Sequence, residues 1–77
     1  MGGMKFFLKT LTGKKIQIEL APTDTVLALL EEIEKKEGIS PSKTRLIHMG
    51  RALAHHKTLQ EYNITEGSIV HLVLALH

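Results

Sequence analysis

The chain has no cysteine and no tryptophan, and its 77 residues include only two phenylalanines, one tyrosine and two prolines. The lack of cysteine excludes disulfides, thiolate metal sites and cysteine nucleophiles together. It also fits a reducing compartment, so a cytoplasmic or nuclear location is expected. With three aromatic side chains there is no stacking platform for single-stranded nucleic acid. The fold must therefore depend on apolar packing and hydrogen bonds.

Charge and hydropathy exclude further classes of protein. The net charge is +2, but the ten Lys/Arg and eight Asp/Glu residues are interleaved, and no basic cluster indicates nucleic-acid binding. No apolar run approaches the roughly 18 residues of a membrane span, and no signal peptide is present. A chain of this length forms one domain, close to the lower size limit for folding unaided, and is expected to be monomeric in isolation. Residues 1–3 are expected to be a tag remnant or a disordered tail, and residues 4–77 the domain.

The first twenty residues show the alternation of a β-hairpin. Residues 4–10 and 14–20 alternate in polarity as half-buried strands, and Gly13 suits the turn between them. Phe7 has the parity of the exposed face. The side chains predicted to face the core are Met4, Phe6, Leu8, Ile16, Ile18 and Leu20.

A helix and a second group of strands follow. Apolar residues at i, i+3, i+4 and i+7 predict an amphipathic helix that begins after an Asp24 or Thr25 cap and ends at Gly38. Short strands are predicted at residues 44–48 and near Ala52, then a helical turn from Thr58, and a last strand over residues 68–76. The element order ββ-α-β-β-β predicts an α+β domain with one helix across one face of a sheet. In the last strand, the parity predicted to face the core comprises Val70, Leu72, Leu74 and Leu76.

Five histidines raise the question of a metal or catalytic site. His55 and His56 are adjacent, and no Asp, Glu or Cys is spaced to complete a tetrahedral site with them. His48 is predicted at a strand edge and His77 is terminal. No serine or threonine lies in a nucleophile motif, and a domain this small has little room for a substrate pocket. We expect no enzyme activity, no metal and no cofactor.

Six blocks of sequence, in order and at matching spacing, carry a family resemblance. They are Lys-Thr-Leu-Thr-Gly-Lys at 9–14, Lys-Glu-Gly-Ile at 36–39, Arg-Leu-Ile at 45–47, Thr-Leu at 58–59, Tyr-Asn-Ile at 62–64 and His-Leu-Val-Leu at 71–74. Together they resemble ubiquitin over residues 4–77. The resemblance implies the ubiquitin-like β-grasp fold, a mixed sheet with one helix packed across one face.

The resemblance also implies a surface that binds partner proteins. Both sets of alternating side chains in the last strand are largely apolar, which indicates either that the strand is buried on both faces or that its exposed face has a function. In ubiquitin the matching positions form a hydrophobic patch. Phe7 matches a second, smaller surface patch of the family. The residues predicted to form the main patch are Leu11, Arg45, Ile47, Gly50, His71 and Val73.

Two departures from the family pattern bear on function. Ubiquitin and its transferable relatives end in a Gly-Gly pair that is joined to lysine, whereas this sequence ends Leu-Ala-Leu-His. Ala75 replaces an arginine that the family uses in recognition by activating enzymes.

A further departure concerns the core. In the family, a lysine at the position of Leu30 pairs with an aspartate at the position of His55, and both are replaced here. Leu30 is accordingly predicted to lie in the core.

These observations predict a non-catalytic, non-conjugating interaction domain from a larger adaptor or shuttle protein. The expected partners are ubiquitin-binding domains, proteasomal receptors, and chaperone or ligase components; neither nucleic acid nor membrane is expected. Three alternatives remain open: the chain is an engineered ubiquitin variant, a truncated covalent protein modifier, or the regulatory domain of a deubiquitinase or ubiquitin ligase.

Overall fold

The computed structural model describes residues 3–75, which form one five-stranded sheet with a helix packed on one face. The strands lie in the order β2-β1-β5-β3-β4; β1 and β5 are parallel and the other pairs antiparallel. The predicted α+β, β-grasp architecture is confirmed. The elements are β1 Met4–Lys9, β2 Lys15–Leu20, α1 Val26–Glu37, β3 Thr44–His48, β4 Arg51–Ala52 and β5 Ile69–Leu74, with 3-10 turns at Pro41–Lys43 and Gln60–Tyr62.

The hairpin of β1 and β2 follows from its alternating sequence. Phe6 lies opposite Ile18 and Leu8 opposite Ile16, so the buried side chains of the two strands share one face. Gly13 takes φ +88°, a value that favours glycine, and its N–H donates to the carbonyl of Thr10 at 3.0 Å. This turn closes the hairpin in the register that the alternation requires.

Helix α1 begins at a capped and supported N-terminus. The hydroxyl of Thr25 accepts from the Ala28 N–H at 3.2 Å, while the Val26 and Leu27 N–H groups donate to the carbonyls of Lys57 and His55. The loop before the second 3-10 turn thus satisfies donors that a helix start would leave unpaired. Asp24 does not cap the helix; its carboxylate accepts from the Ala21 N–H. Among the described residues, no helix is long and apolar enough to cross a membrane.

One core lies between the helix and the sheet. The helix contributes the predicted stripe, including Leu30, which is confirmed as a core residue. The inward side chains of β1, β2, β3 and β5 meet it, as the parity of the strands predicts. The other buried apolar members come from the connection between β4 and β5: Leu53, Leu59, Tyr62 and Ile64.

Two predicted positions differ in the structure. His48 is buried rather than at a sheet edge, because β3 lies between β5 and β4 and its ring Nδ1 lies 3.1 Å from the Ile69 carbonyl. Leu74, predicted to face the core, is 53% exposed at the end of β5. Leu76 lies outside the described residues, as do the first two residues of the predicted tail, and the domain boundary at residue 4 stays a prediction.

Candidate protein-binding surface

Four of the predicted patch residues form a compact block on the outer face of the sheet. In the β3–β5 ladder, Arg45 lies opposite Val73 and Ile47 lies opposite His71. Ile47 and Val73 are half-buried, whereas Arg45 and His71 are exposed. Leu46 and Leu72, between them, face the core. The block therefore presents an apolar centre with polar groups beside it, an arrangement typical of protein-binding surfaces.

Gly50 lies at the tip of the hairpin that joins β3 to β4. Met49 and Gly50 have φ of +53° and +78°, the left-handed pair that closes a two-residue turn. Gly50 is exposed, and Met49 exposes 79% of its surface. The turn brings Ala52 directly opposite Ile47. Gly50 thus shapes the end of the block through its backbone.

Leu11 is positioned by the turn between β1 and β2, and it is 84% exposed. It lines a shallow apolar groove of about 390 Å³ with Ile39, Leu72 and Leu74. The side chain of Leu74 therefore lines this groove instead of the core. The alternation of polar and apolar residues could not predict the groove, because its walls come from a turn, a loop and a strand end rather than from one strand face.

Phe7 lies on the outer face of β1, as its parity predicts, but its ring is half-buried rather than fully exposed. The ammonium group of Lys15 lies 4.7 Å from the ring centroid, within the range of a cation–π contact. Ile69, a residue outside the predicted site, lies directly beside Phe7 in the parallel β1–β5 ladder and is 40% exposed. Its outward parity in an apolar strand was the signal that pointed to it.

Leu30 and His55 line one cavity of about 290 Å³, together with Arg45 and Ala52 at the β3–β4 edge of the sheet. Leu30 is fully buried and His55 is exposed at the cavity rim. No carboxylate lines this cavity, although Arg45 does, so a leucine and an imidazole stand in place of the family's lysine–aspartate pair. Ala75 also lines it, and its N–H donates to the Lys43 carbonyl at 2.8 Å, which fixes the chain after β5 to the β3 entry.

The electrostatic features do not indicate catalysis or metal binding. Among the described residues there is no group of three or more His, Asp or Glu side chains placed to hold a metal ion. The Glu61 carboxylate accepts from the Thr58 N–H at 2.9 Å and from its hydroxyl at 3.0 Å. The Thr58 backbone and hydroxyl hydrogen bonds lower the Glu61 pKa from its ordinary value. This pair stabilises a 3-10 turn, and the absence of an enzyme site stays a prediction.

Sequence comparison agrees with the fold. A sequence model described as the ubiquitin family matches residues 6–77. The chain belongs to the ubiquitin family, whose members interact with protein partners.

Individual relatives narrow the similarity further. The chain is 51% identical over 69 residues to the ubiquitin-like protein NEDD8 of Dictyostelium discoideum, with 90% of each chain covered. It is 48% identical over 73 residues to the NEDD8-like protein RUB3 of Arabidopsis thaliana, covering 95% of this chain and 94% of that one. It is 45% identical over 69 residues to the NEDD8-like protein RUB1 of Saccharomyces cerevisiae, with 90% of each covered.

These relatives overturn the predicted adaptor domain. Their matched regions span about nine-tenths of their own length, so they are small single-domain proteins rather than large adaptors containing one such module. The prediction of a non-conjugating adaptor or shuttle domain was wrong. That prediction relied on the missing glycine pair at the end of the sequence, whereas the similarity to these relatives extends over the folded domain.

Proposed function

We propose that the chain is a covalent protein modifier of the NEDD8 and RUB type. The observation that carries the proposal is the identity of 45–51% with proteins of those names over nearly their whole length. The alternative of a covalent modifier, left open by the sequence, is therefore favoured over the adaptor. We also propose that the protein has no catalytic activity of its own and acts in the cytoplasm or nucleus.

Ala75 bears on the selectivity of such a modifier. Ubiquitin carries an arginine at this position that contributes to recognition by activating enzymes, and Ala75 offers only a methyl group. A site built to pair with a guanidinium would keep an unpaired charge on binding this chain, which disfavours the complex. We propose that a dedicated activating enzyme, with an apolar surface at this point, selects the protein. The Ala75→Arg variant should then lose activation by that enzyme.

The block around Ile47 would present the attached modifier to other proteins. Ubiquitin-binding domains, proteasomal receptors and chaperone or ligase components are the proposed partners of this surface. The support is the geometry of Ile47, His71 and Val73, an apolar centre held on rigid strands, together with the exposed Leu11, which lines a groove with Leu72 and Leu74 at the end of β5. Ile47→Ala and Val73→Ala should weaken such contacts without unfolding the half-buried strands.

Conjugation can be tested in the source cells. The complete open reading frame is expressed with an N-terminal epitope tag, and lysates are boiled in SDS with reductant before immunoblotting. Covalent conjugates should appear as tagged bands of higher mass, and they should disappear when the terminal glycine of the complete product is deleted. A reading frame that continues into a larger polypeptide without a glycine pair would contradict the proposal, as would a blot that shows only the free protein.

A further inference from the structure

The cavity of about 290 Å³ lies where the short strand β4 ends. The β3–β4 ladder stops at Ala52, and the last backbone contact beyond it is the Leu53 N–H, which donates to the Leu46 carbonyl at 3.0 Å. From there the chain leaves β3 and reaches the start of α1, where the His55 carbonyl accepts from the Leu27 N–H at 3.1 Å. The cavity is therefore bordered by the first turn of the helix, by β3 and by the chain that departs from β4.

The inner wall of the cavity is apolar. Val26 and Leu30 of α1, Leu46 of β3 and Leu53 line it, and all four side chains are buried. An apolar cavity of about 150 Å³ in a protein core is large enough to hold benzene. At about 290 Å³, this cavity has room for a six-membered ring together with a short polar arm.

The rim of the cavity is polar and lacks acidic groups. Arg45, His55 and Ser42 line it from exposed positions, and no carboxylate does. Within residues 3–75, the two ion pairs are formed by Lys14 and Lys35, so the guanidinium of Arg45 has no carboxylate partner there. Arginine binds carboxylates through charge-assisted hydrogen bonds, and an imidazole or a hydroxyl can donate one more. The rim is therefore complementary to an anion, whereas the wall is complementary to a hydrocarbon ring.

We propose that this cavity binds a small carboxylate that carries one aromatic ring. The ring packs against Leu30 and Leu53, and the carboxylate accepts hydrogen bonds from Arg45, with His55 as a further donor. A single negative charge fits better than a phosphate dianion, because one guanidinium faces it and a second charge beside an apolar wall would be desolvated without a partner. The site is separate from the block around Ile47 in its wall, and it does not depend on conjugation.

A titration of the 15N-labelled protein with 3-phenylpropionate at neutral pH tests this site. A ligand of this size in a fitting pocket binds with a Kd of about 1–10 mM. The amides of Ser42, Leu53, His55 and Ala75, which border the cavity, should shift together and fit one Kd. Nuclear Overhauser effects from the ring protons should reach the methyl groups of Leu30.

Three further ligands separate the contributions of ring and charge. The amide 3-phenylpropionamide keeps the ring without the charge, and propionate keeps the charge without the ring; each should bind at least about fivefold more weakly. The carboxylate can belong to a free compound or to the last residue of a peptide. The peptide Gly-Gly-Phe distinguishes these sources, because tighter binding than that of 3-phenylpropionate assigns the cavity to a chain end and weaker binding assigns it to a free compound.

Variants at exposed positions test the rim with matched controls. Arg45→Gln should weaken binding of 3-phenylpropionate about five- to tenfold, the loss expected for a charged hydrogen bond that water partly screens. Arg51→Gln is the control, because Arg51 is an exposed arginine of the neighbouring strand that does not line the cavity. His55→Ala should weaken binding about two- to threefold, and His56→Ala, at the adjacent exposed histidine, should bind as the wild type does. Thermal melts of all four variants verify folding.

Several outcomes would overturn the proposal. Shifts confined to Leu11, Ile39 and Leu74 would place the ligand in the other apolar groove. Equal binding of the amide, or equal losses in Arg45→Gln and Arg51→Gln, would remove the charge argument. Shifts without any nuclear Overhauser effect to Leu30 would show that the ring stays outside the cavity, and an absence of shifts up to saturating ligand would show that nothing of this class binds.

Discussion

The Leu30→Lys variant tests whether the core depends on an apolar side chain at a position where the family has a lysine paired with an aspartate. Leu30 is fully buried on α1, and it lines the 290 Å³ cavity in which no carboxylate is present. Loss of leucine burial costs about 1.5–3 kcal/mol, and an unpaired charge in a buried site costs about 3–5 kcal/mol. Because the cavity opens near His55, the lysine ammonium can approach water and part of this cost is avoided. We expect the free energy of unfolding to fall by about 3 kcal/mol.

Circular dichroism during thermal and urea unfolding at neutral pH measures this loss. For a domain of this size, about 3 kcal/mol lowers Tm by roughly 12–24 °C. Leu27→Lys is the matched control: the residue lies on the same helix but is 43% exposed, and its change should stay within about 0.5 kcal/mol. The two variants differ in burial rather than in chemistry. A Leu30→Lys protein that melts with the wild type, or with Leu27→Lys, would refute the reasoning.

A second substitution tests the cause of the loss. Adding His55→Asp to Leu30→Lys places a carboxylate at the rim of the same cavity, and we expect about 1–2 kcal/mol of stability to return. His55→Asp alone should change stability little, because His55 is exposed. If the double variant is no more stable than Leu30→Lys, unpaired charge is not the source of the destabilisation, and overpacking of the site is favoured instead.

Three further changes probe local interactions. Thr25→Ala removes the hydroxyl that accepts from the Ala28 N–H, so we expect a loss of about 1 kcal/mol in urea unfolding, with Thr25→Ser retaining most of the stability. Met49→Gly relieves a left-handed conformation at φ +53° and should raise stability by about 0.5–1 kcal/mol; an unchanged urea midpoint would contradict this. Because the folded pKa of Glu61 lies below its ordinary value of 4.5, its stabilising contribution is present above that pH and is lost as pH falls through the folded pKa. Glu61→Gln should therefore be less stable at pH 7 but lose less stability between pH 5 and 3; parallel pH profiles would refute this.

Local pattern was sufficient to predict the elements of the fold. The helical stripe that includes Leu30, the hairpin turn at Gly13 and the inward parity of β1 and β2 all depend on residues close in sequence. Strand order depends on pairs far apart, such as Phe7 with Ile69, and alternation carries no information about which strands are neighbours. His48 was misplaced for that reason, since a strand that appears to be an edge lies inside the sheet.

In the candidate surface too, the face on which a residue lies could be predicted from the sequence, whereas contacts between distant segments could not. Arg45, Ile47, His71 and Val73 could be named from parity and family resemblance, and the β3–β5 ladder places them together. Parity could assign Ile69 to the outer face, but its position beside Phe7 could not be predicted, because that pairing joins residues far apart in sequence. Leu74 has core parity but lies at the end of β5, where its side chain lines the groove beside Leu11 instead of the core. Parity thus fails where an element extends past the layer that covers it.

The unequal distribution of charge gives the molecule an electric dipole across its thickness. Helix α1 carries four glutamates and two lysines, while the outer sheet face carries Lys5, Lys9, Lys15 and Arg45 against the one carboxylate of Glu19. In the field of an acidic partner, the protein would rotate to bring the sheet forward before the two surfaces touch. This orientation acts within a Debye length of about 8–10 Å, so added salt should slow productive encounter more than it speeds dissociation.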